Sequence, residues 1–161
     1  MVLNFYLIKT LEMLHKFLEL FVTCFKIGYI PIAPGTFGTI FSILIWFFIE
    51  SYSLLIKSLI IIIFFIVGVY ASEIISKKNN IKDPAYIVID EFVGMWIALL
   101  LIPNGLNWYF LGFLFFRFFD IIKLYPANVF DKRDSGIGIM FDDIIAGLYA
   151  GLIVQLFWIF L

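Results

Sequence analysis

Long apolar runs, interrupted by short polar segments, organise this chain. Residues 5–27 read as a helix that carries Lys9, Glu12, Lys16 and Glu19. That mixture predicts an amphipathic helix lying at a membrane surface. From Gly28 to Thr39 the chain holds two prolines and three glycines, which predict a break in any helix. Apolar runs follow at 36–49, 58–71, 85–102, 108–122 and 137–161. Between them lie Glu50 to Lys57, the polar stretch Lys77 to Pro84, the turn Pro103 to Asn107 and the charged loop Lys123 to Asp134. The pattern predicts an all-α, membrane-embedded bundle of about four to five hydrophobic helices plus the N-terminal amphipathic helix, in a single domain over 1–161. Several runs fall short of the roughly 20 residues of a full span. Some are therefore expected to be re-entrant or half-buried at the interface.

Composition strengthens the membrane reading. The chain is 64% hydrophobic and only 14% charged, against about 25% charged in ordinary soluble domains. Its mean hydropathy of +1.10 makes lipid the expected solvent. A net charge of -1 argues against nucleic acid as a partner. Cys24 is the single cysteine and cannot form an internal disulfide. Lys9, Glu12, Lys16 and Glu19 interrupt the first apolar run, so no cleavable signal peptide is expected.

Orientation follows from the basic residues. Lys9, Lys16 and Lys26, then Lys77, Lys78 and Lys82, then Lys123, Lys132 and Arg133 fall on one side of a five-span arrangement. The opposite loops hold only Lys57. The basic side is expected to be cytoplasmic, with the C-terminus outside.

Four candidate chemical clusters fall on that same side. The turn from Pro31 to Thr39 feeds a helix, so its free N–H groups suit a phosphate, with Gly35, Thr36, Gly38 and Thr39 as the candidate donors. The plainer reading of this turn is a proline-bent helix cap. Asp90 and Glu91 are adjacent carboxylates in an apolar segment, where an ionised group costs roughly 2.5–3.5 kcal/mol. Arg117, Asp120 and Lys123 recur at i, i+3 and i+6 and share one helical face. Arg117 and Asp120 could simply pair with each other. Asp142 and Asp143 follow what reads as a flexible glycine turn, and Asp143, Gly147 and Gly151 form an i+4 series that allows close helix packing. Five carboxylates at membrane depth repel one another, and Arg117 and Lys123 are too few to offset them. A bound divalent metal balances the charge most simply, and hard cations prefer carboxylate oxygens. The rival is an ion or proton transporter, since buried acids also mark proton pathways. Its acids would be spread through the membrane depth, whereas these crowd one side.

The residue inventory excludes several phosphatase chemistries. His15 is the one histidine, so mechanisms needing two histidines, as in type-2 phosphatidic acid phosphatases, are out. Cys24 lacks the arginine of a cysteine phosphatase loop, and the Asp-x-Asp pattern of aspartyl-phosphate enzymes is missing. Metal-assisted attack of water on phosphorus fits what remains.

Four segments together resemble the bacterial phosphatidylglycerophosphatase A family. They are Pro31 to Thr39 (PIAPGTFGT), Asp90 to Trp96 (DEFVGMW), Phe116 to Lys123 (FRFFDIIK) and Gly136 to Gly147 (GIGIMFDDIIAG), in matching order and approximate spacing. The resemblance covers about residues 20–155. It implies Mg²⁺-dependent removal of the terminal phosphate of phosphatidylglycerophosphate, at the cytoplasmic membrane, in glycerophospholipid synthesis. On that basis Asp90, Glu91, Asp142 and Asp143 are the expected Mg²⁺ ligands, with Asp120 a further candidate. Arg117 and Lys123 are expected to offset phosphoryl charge, and all seven are expected catalytic residues. The chain departs from the family pattern at Lys123-Leu124-Tyr125-Pro126, where members often carry Lys-Pro-Trp-Pro, and at Asp83-Pro84, where they often carry histidine.

Overall fold

A computed structural model describes the backbone from residue 2 to 160 and the side chains from residue 6 to 160. Among the described residues every regular element is helical: α1 (Val2–Val22), α2 (Pro34–Ile49), α3 (Leu54–Asn79), α4 (Ile89–Leu101), α5 (Leu106–Ile122), α6 (Ala127–Phe130) and α7 (Gly136–Phe160). The all-α expectation holds. The expected domain limits 1 and 161 lie outside the described residues.

Local chemistry sets the helix ends. Pro34 opens α2, where its missing N–H costs nothing, and Ala33 precedes it in the left-handed region at φ 50°. The break expected over 28–39 is thus confined to residues before Pro34, and Gly35 and Gly38 lie inside the helix. Ser53 caps α3 by accepting from the Ile56 N–H at 3.4 Å. Asn80 ends α3 in the left-handed region, with Lys77 and Lys78 in the last turn against the helix dipole. The expected glycine turn before Asp142 is helical: α7 begins at Gly136, whose N–H donates to the Glu73 carboxylate. Gly138 lies against the Arg133 and Phe130 carbonyls, too close for any larger residue.

Among the described residues two helices, α3 and α7, are long and apolar enough to cross a membrane. The other apolar runs form shorter helices, because Pro103 and Gly105 stop α4 early and Pro34 delays α2. The two long helices are used differently. α3 leaves most of its apolar side chains uncovered, including Ile62, Ile63, Ile66 and Tyr70. α7 buries most of its length against α3, α4, α5 and α6.

The core is built around α4 and α7. Short α4 is surrounded by α2, α3, α5 and α7, and Phe92, Val93, Met95, Trp96, Ala98 and Leu99 are all buried. Aromatic rings interlock around it: Phe92 and Trp96 lie 4.6 Å apart between centroids, and Phe64 and Trp96 5.1 Å. The Trp96 indole donates to the Ser42 carbonyl at 2.9 Å and ties α4 to α2. The expected small-residue seam is present. A methyl group on Gly147 would collide with the Gly94 carbonyl, and one on Gly94 would lie 2.6 Å from the Asp143 carbonyl oxygen. Close packing and dispersion hold such contacts. In contrast, α1 packs on α3 and leaves Tyr6, Leu7, Ile8, Leu11, Met13, Leu14 and Phe17 exposed.

Candidate active site

Helix directions bring chemistry from distant parts of the chain to one end of the bundle. The N-termini of α2 and α4, the C-terminus of α5, the early turns of α7 and the loop after α3 all meet there. They enclose a cavity of about 210 Å³ lined by Ala33, Pro34, Gly35, Asp83, Ala85, Ile87, Asp90, Glu91, Arg117, Asp120, Lys123, Asp142 and Asp143. All seven expected catalytic residues are therefore in one place. The acids Asp83, Asp90, Glu91, Asp120, Asp142 and Asp143 outnumber the cations Arg117 and Lys123 by six to two.

Helical geometry divides the adjacent acids. Successive residues differ by about 100° around the axis, so adjacent side chains leave the helix in different directions and can reach different partners. Asp90 and Glu91 sit in the first turn of α4, where a helix dipole favours negative charge. One oxygen of each comes within 4.8 Å of an oxygen of Asp143. Asp142 turns instead toward α5, and its Oδ2 accepts from Lys123 Nζ at 2.7 Å. Lys123 also donates to Asp131. Arg117 pairs with Asp120, and its guanidinium lies 3.9 Å from Glu91 Oε1.

The three grouped carboxylates fit a hard divalent cation such as Mg²⁺. Their donors are all oxygen, the set such ions take. Asp90 Oδ1 and Glu91 Oε2 are buried without a hydrogen-bond partner among the described residues. Unpartnered buried oxygens of this kind are costly unless something cationic satisfies them.

The expected phosphate turn contributes less than its sequence promised. Only Gly35 of Gly35, Thr36, Gly38 and Thr39 reaches the cavity. Thr39 is buried and donates to the Gly35 carbonyl at 2.8 Å, so its hydroxyl is spent inside the helix. Gly38 lies against Val88. The N–H groups of Thr36 and Phe37 turn back to the Ala33 carbonyl. Gly35 is needed for space: a methyl there would run into the Glu91 carboxylate and lie 3.2 Å from the Arg117 guanidinium.

Two residues outside the expected set bear on the pocket, Asp83 from its lining and Asp131 through Lys123. Asp83, at φ 46°, faces the cavity while its outer side meets solvent. Burial at the mouth pushes its carboxyl above the usual carboxylate range; Asp131 and Asp120 add to this, against the pull of Lys123. Asp131 holds Lys123 from the opposite loop. For Lys123, burial lowers the pKa, yet the bonds to Asp131 and Asp142 outweigh it and hold the ammonium above the ordinary lysine range. The signal for Asp83 was its place before Pro84 in the polar stretch; the signal for Asp131 was its closeness to Lys123 in sequence.

Fold and cavity together define the class: a helical bundle, among the described residues, with two helices long and apolar enough to cross a membrane and a carboxylate-rich pocket at one end. Known proteins narrow that class. The model of the family described as phosphatidylglycerophosphatase A matches residues 20–158. The chain is 38% identical to phosphatidylglycerophosphatase A of Escherichia coli (strain K12), over 77% of this chain and 73% of that protein. It is 36% identical to phosphatidylglycerophosphatase A of Haemophilus influenzae, over 85% and 86%. A protein of Bacteroides thetaiotaomicron named putative phosphatidylinositol-3-phosphatase is 32% identical, over 82% and 87%. No solved structure matches significantly. This chain belongs to the phosphatidylglycerophosphatase A family.

Proposed function

We propose that the protein hydrolyses the terminal phosphate of phosphatidylglycerophosphate, giving phosphatidylglycerol and inorganic phosphate, with Mg²⁺ as cofactor. The observation that carries this reading is the grouping of Asp90, Glu91 and Asp143 beside Arg117 in a chain of this family. Asp90, Glu91 and Asp143 would hold the ion, with Asp142 and Asp120 at its margin. When bound, Mg²⁺ supplies Lewis-acid polarisation of a phosphoryl oxygen and makes water easier to deprotonate.

The chain's own groups do the rest. Arg117, with its buried Nε unpartnered, donates to the phosphoryl oxygens as charge builds there. Asp120 holds the Arg117 guanidinium in place. Lys123 fixes Asp142 through Oδ2 and leaves Oδ1 without a partner, so Asp142 is placed to accept the proton of the attacking water. The water oxygen bonds to phosphorus, the bond from phosphorus to the glycerol oxygen breaks, and that oxygen takes up a proton. Gly35 lets the α2 terminus approach the phosphate without a side chain in the way. The buried acids Asp90, Asp142 and Asp143 gather at this pocket rather than in file along the bundle, which favours hydrolysis over a proton path. The basic loops support a pocket on the cytoplasmic face of a bacterial cytoplasmic membrane crossed more than once.

The test is phosphate release by purified protein in detergent micelles, with and without Mg²⁺. Phosphatidylglycerophosphate and phosphatidylinositol 3-phosphate are offered in separate assays. The expected result is Mg²⁺-dependent release from the first that collapses in Asp90→Asn. Release from the second alone would overturn the substrate, and release from neither would overturn the activity.

A further inference from the structure

A lipid substrate has two ends, and the pocket accounts for one. We propose that an acyl chain of the substrate lies in the groove between α2 and α5, an inference that rests on the lipid phosphatase reading above. The two helices run in opposite senses from the pocket: α2 starts there at Gly35, and α5 finishes there at Arg117. They approach each other at both ends. At the pocket, a methyl on Gly35 would lie 3.2 Å from the Arg117 guanidinium. At the far end, the Phe47 and Tyr109 rings meet at 5.6 Å between centroids. Beside the Phe47–Tyr109 contact lies a wholly apolar groove of about 220 Å³, lined by Ile40, Ile43, Leu106, Tyr109, Phe110 and Phe113.

Register lines the groove up with the Arg117 side of the pocket. Arg117, Phe113, Phe110 and Leu106 recur at intervals of four, three and four, so they form one stripe along α5. Gly35 and Phe47 are twelve residues apart, about 18 Å along α2. A phosphate at the Arg117 end therefore has an apolar stripe leading away from it along α5 to the groove. Polarity returns beside the groove, where the Tyr109 hydroxyl donates to Glu50 Oε2 at 2.6 Å. One helix pair thus carries cationic recognition at one end and an apolar track along its length, matching a phosphorylated headgroup and its hydrocarbon tail.

Ile40→Trp narrows the groove from an exposed position, so the fold tolerates it. Phosphate release is measured in mixed micelles on dioleoyl and on dihexanoyl phosphatidylglycerophosphate, with Leu152→Trp as an exposed, lipid-facing control on α7. The expected result is a fall in kcat/KM for the dioleoyl substrate roughly tenfold larger than for the dihexanoyl one, in Ile40→Trp only. Phe110→Ala, which strips the opposite wall at a second exposed site, is expected to weaken chain-length discrimination in the same direction. Equal losses on both substrates would show that the change disturbs the pocket and would overturn the groove assignment. So would unchanged kinetics, or the same loss in Leu152→Trp, which would mark bulk lipid as the occupant. Wild-type protein that releases phosphate from neither substrate would instead remove the phosphatase reading, and the groove assignment with it.

Discussion

Replacing Gly94 by alanine tests whether the seam between α4 and α7 sets the geometry of the pocket. The new methyl would sit 2.6 Å from the Asp143 carbonyl oxygen and 2.8 Å from Phe116 Cε2. Ordinary contact begins at 3.4 Å, so the helices must part by roughly 0.8 Å or the ring must turn aside. Backbone cannot turn aside as a ring can, which puts most of the shift on α7. The displaced residue is Asp143, and the opposing carboxylates, Asp90 and Glu91, lie one turn from Gly94. Metal ligands tolerate about 0.2 Å, and a misplacement of about 1 Å can cost roughly a hundredfold in rate. Overpacking costs about 1–3 kcal/mol of stability. The expected outcome is a folded protein with a slightly lower Tm, a roughly hundredfold lower kcat/KM and a higher Mg²⁺ requirement. Thermal unfolding and phosphate release against Mg²⁺ concentration read these out. Gly112→Ala is the control: its methyl meets Ile102 Cδ1 at 2.9 Å, far from the carboxylates, so it should cost stability and spare activity. Gly94→Ala with wild-type rate and Mg²⁺ dependence would refute the idea that this seam positions Asp143.

Other changes separate charge from packing. Asp143→Asn removes one of three crowded carboxylates; in the presence of chelator its Tm should rise above wild type, while the stabilisation that Mg²⁺ gives wild type should shrink and activity fall by about a hundredfold. Trp96→Phe deletes the buried bond to the Ser42 carbonyl and should cost about 1–3 kcal/mol, read by thermal unfolding, with rate per folded molecule retained. Asp83 has a raised pKa in the fold, so the stability it contributes is fully present below the ordinary carboxylate pKa and is lost as pH rises through the raised value. Asp83→Asn should therefore raise the Tm near neutral pH in chelator and leave it unchanged below about pH 4; an unchanged Tm at neutral pH would refute the burial argument.

The helices and most of the pocket were legible in the chain because charge is expensive in apolar surroundings. Asp90, Glu91, Arg117, Asp120, Asp142 and Asp143 stood out against apolar runs, and the basic loops put them on one side. Glycine spacing likewise announced close packing at Gly147, since only a missing side chain lets backbones approach as they do at Gly94. Directions of side chains were not legible. Two neighbouring aspartates look alike in sequence, yet Asp143 turns to Asp90 and Glu91 while Asp142 turns to Lys123, because residues on a helix fan out around its axis. The turn at Gly35 to Thr39 looked like four phosphate donors, but helix formation from Pro34 consumed all but Gly35. Segment lengths were also decided by the fold. Lys77 and Glu73 extend α3 past its apolar run by pairing one turn apart, while α4 is cut to thirteen residues and survives by being covered on every side. Local composition thus determined which groups would be buried together. Only the packing of α2, α4, α5 and α7 decided which atoms face one another, because that depends on helix rotation and on contacts between residues far apart in the chain.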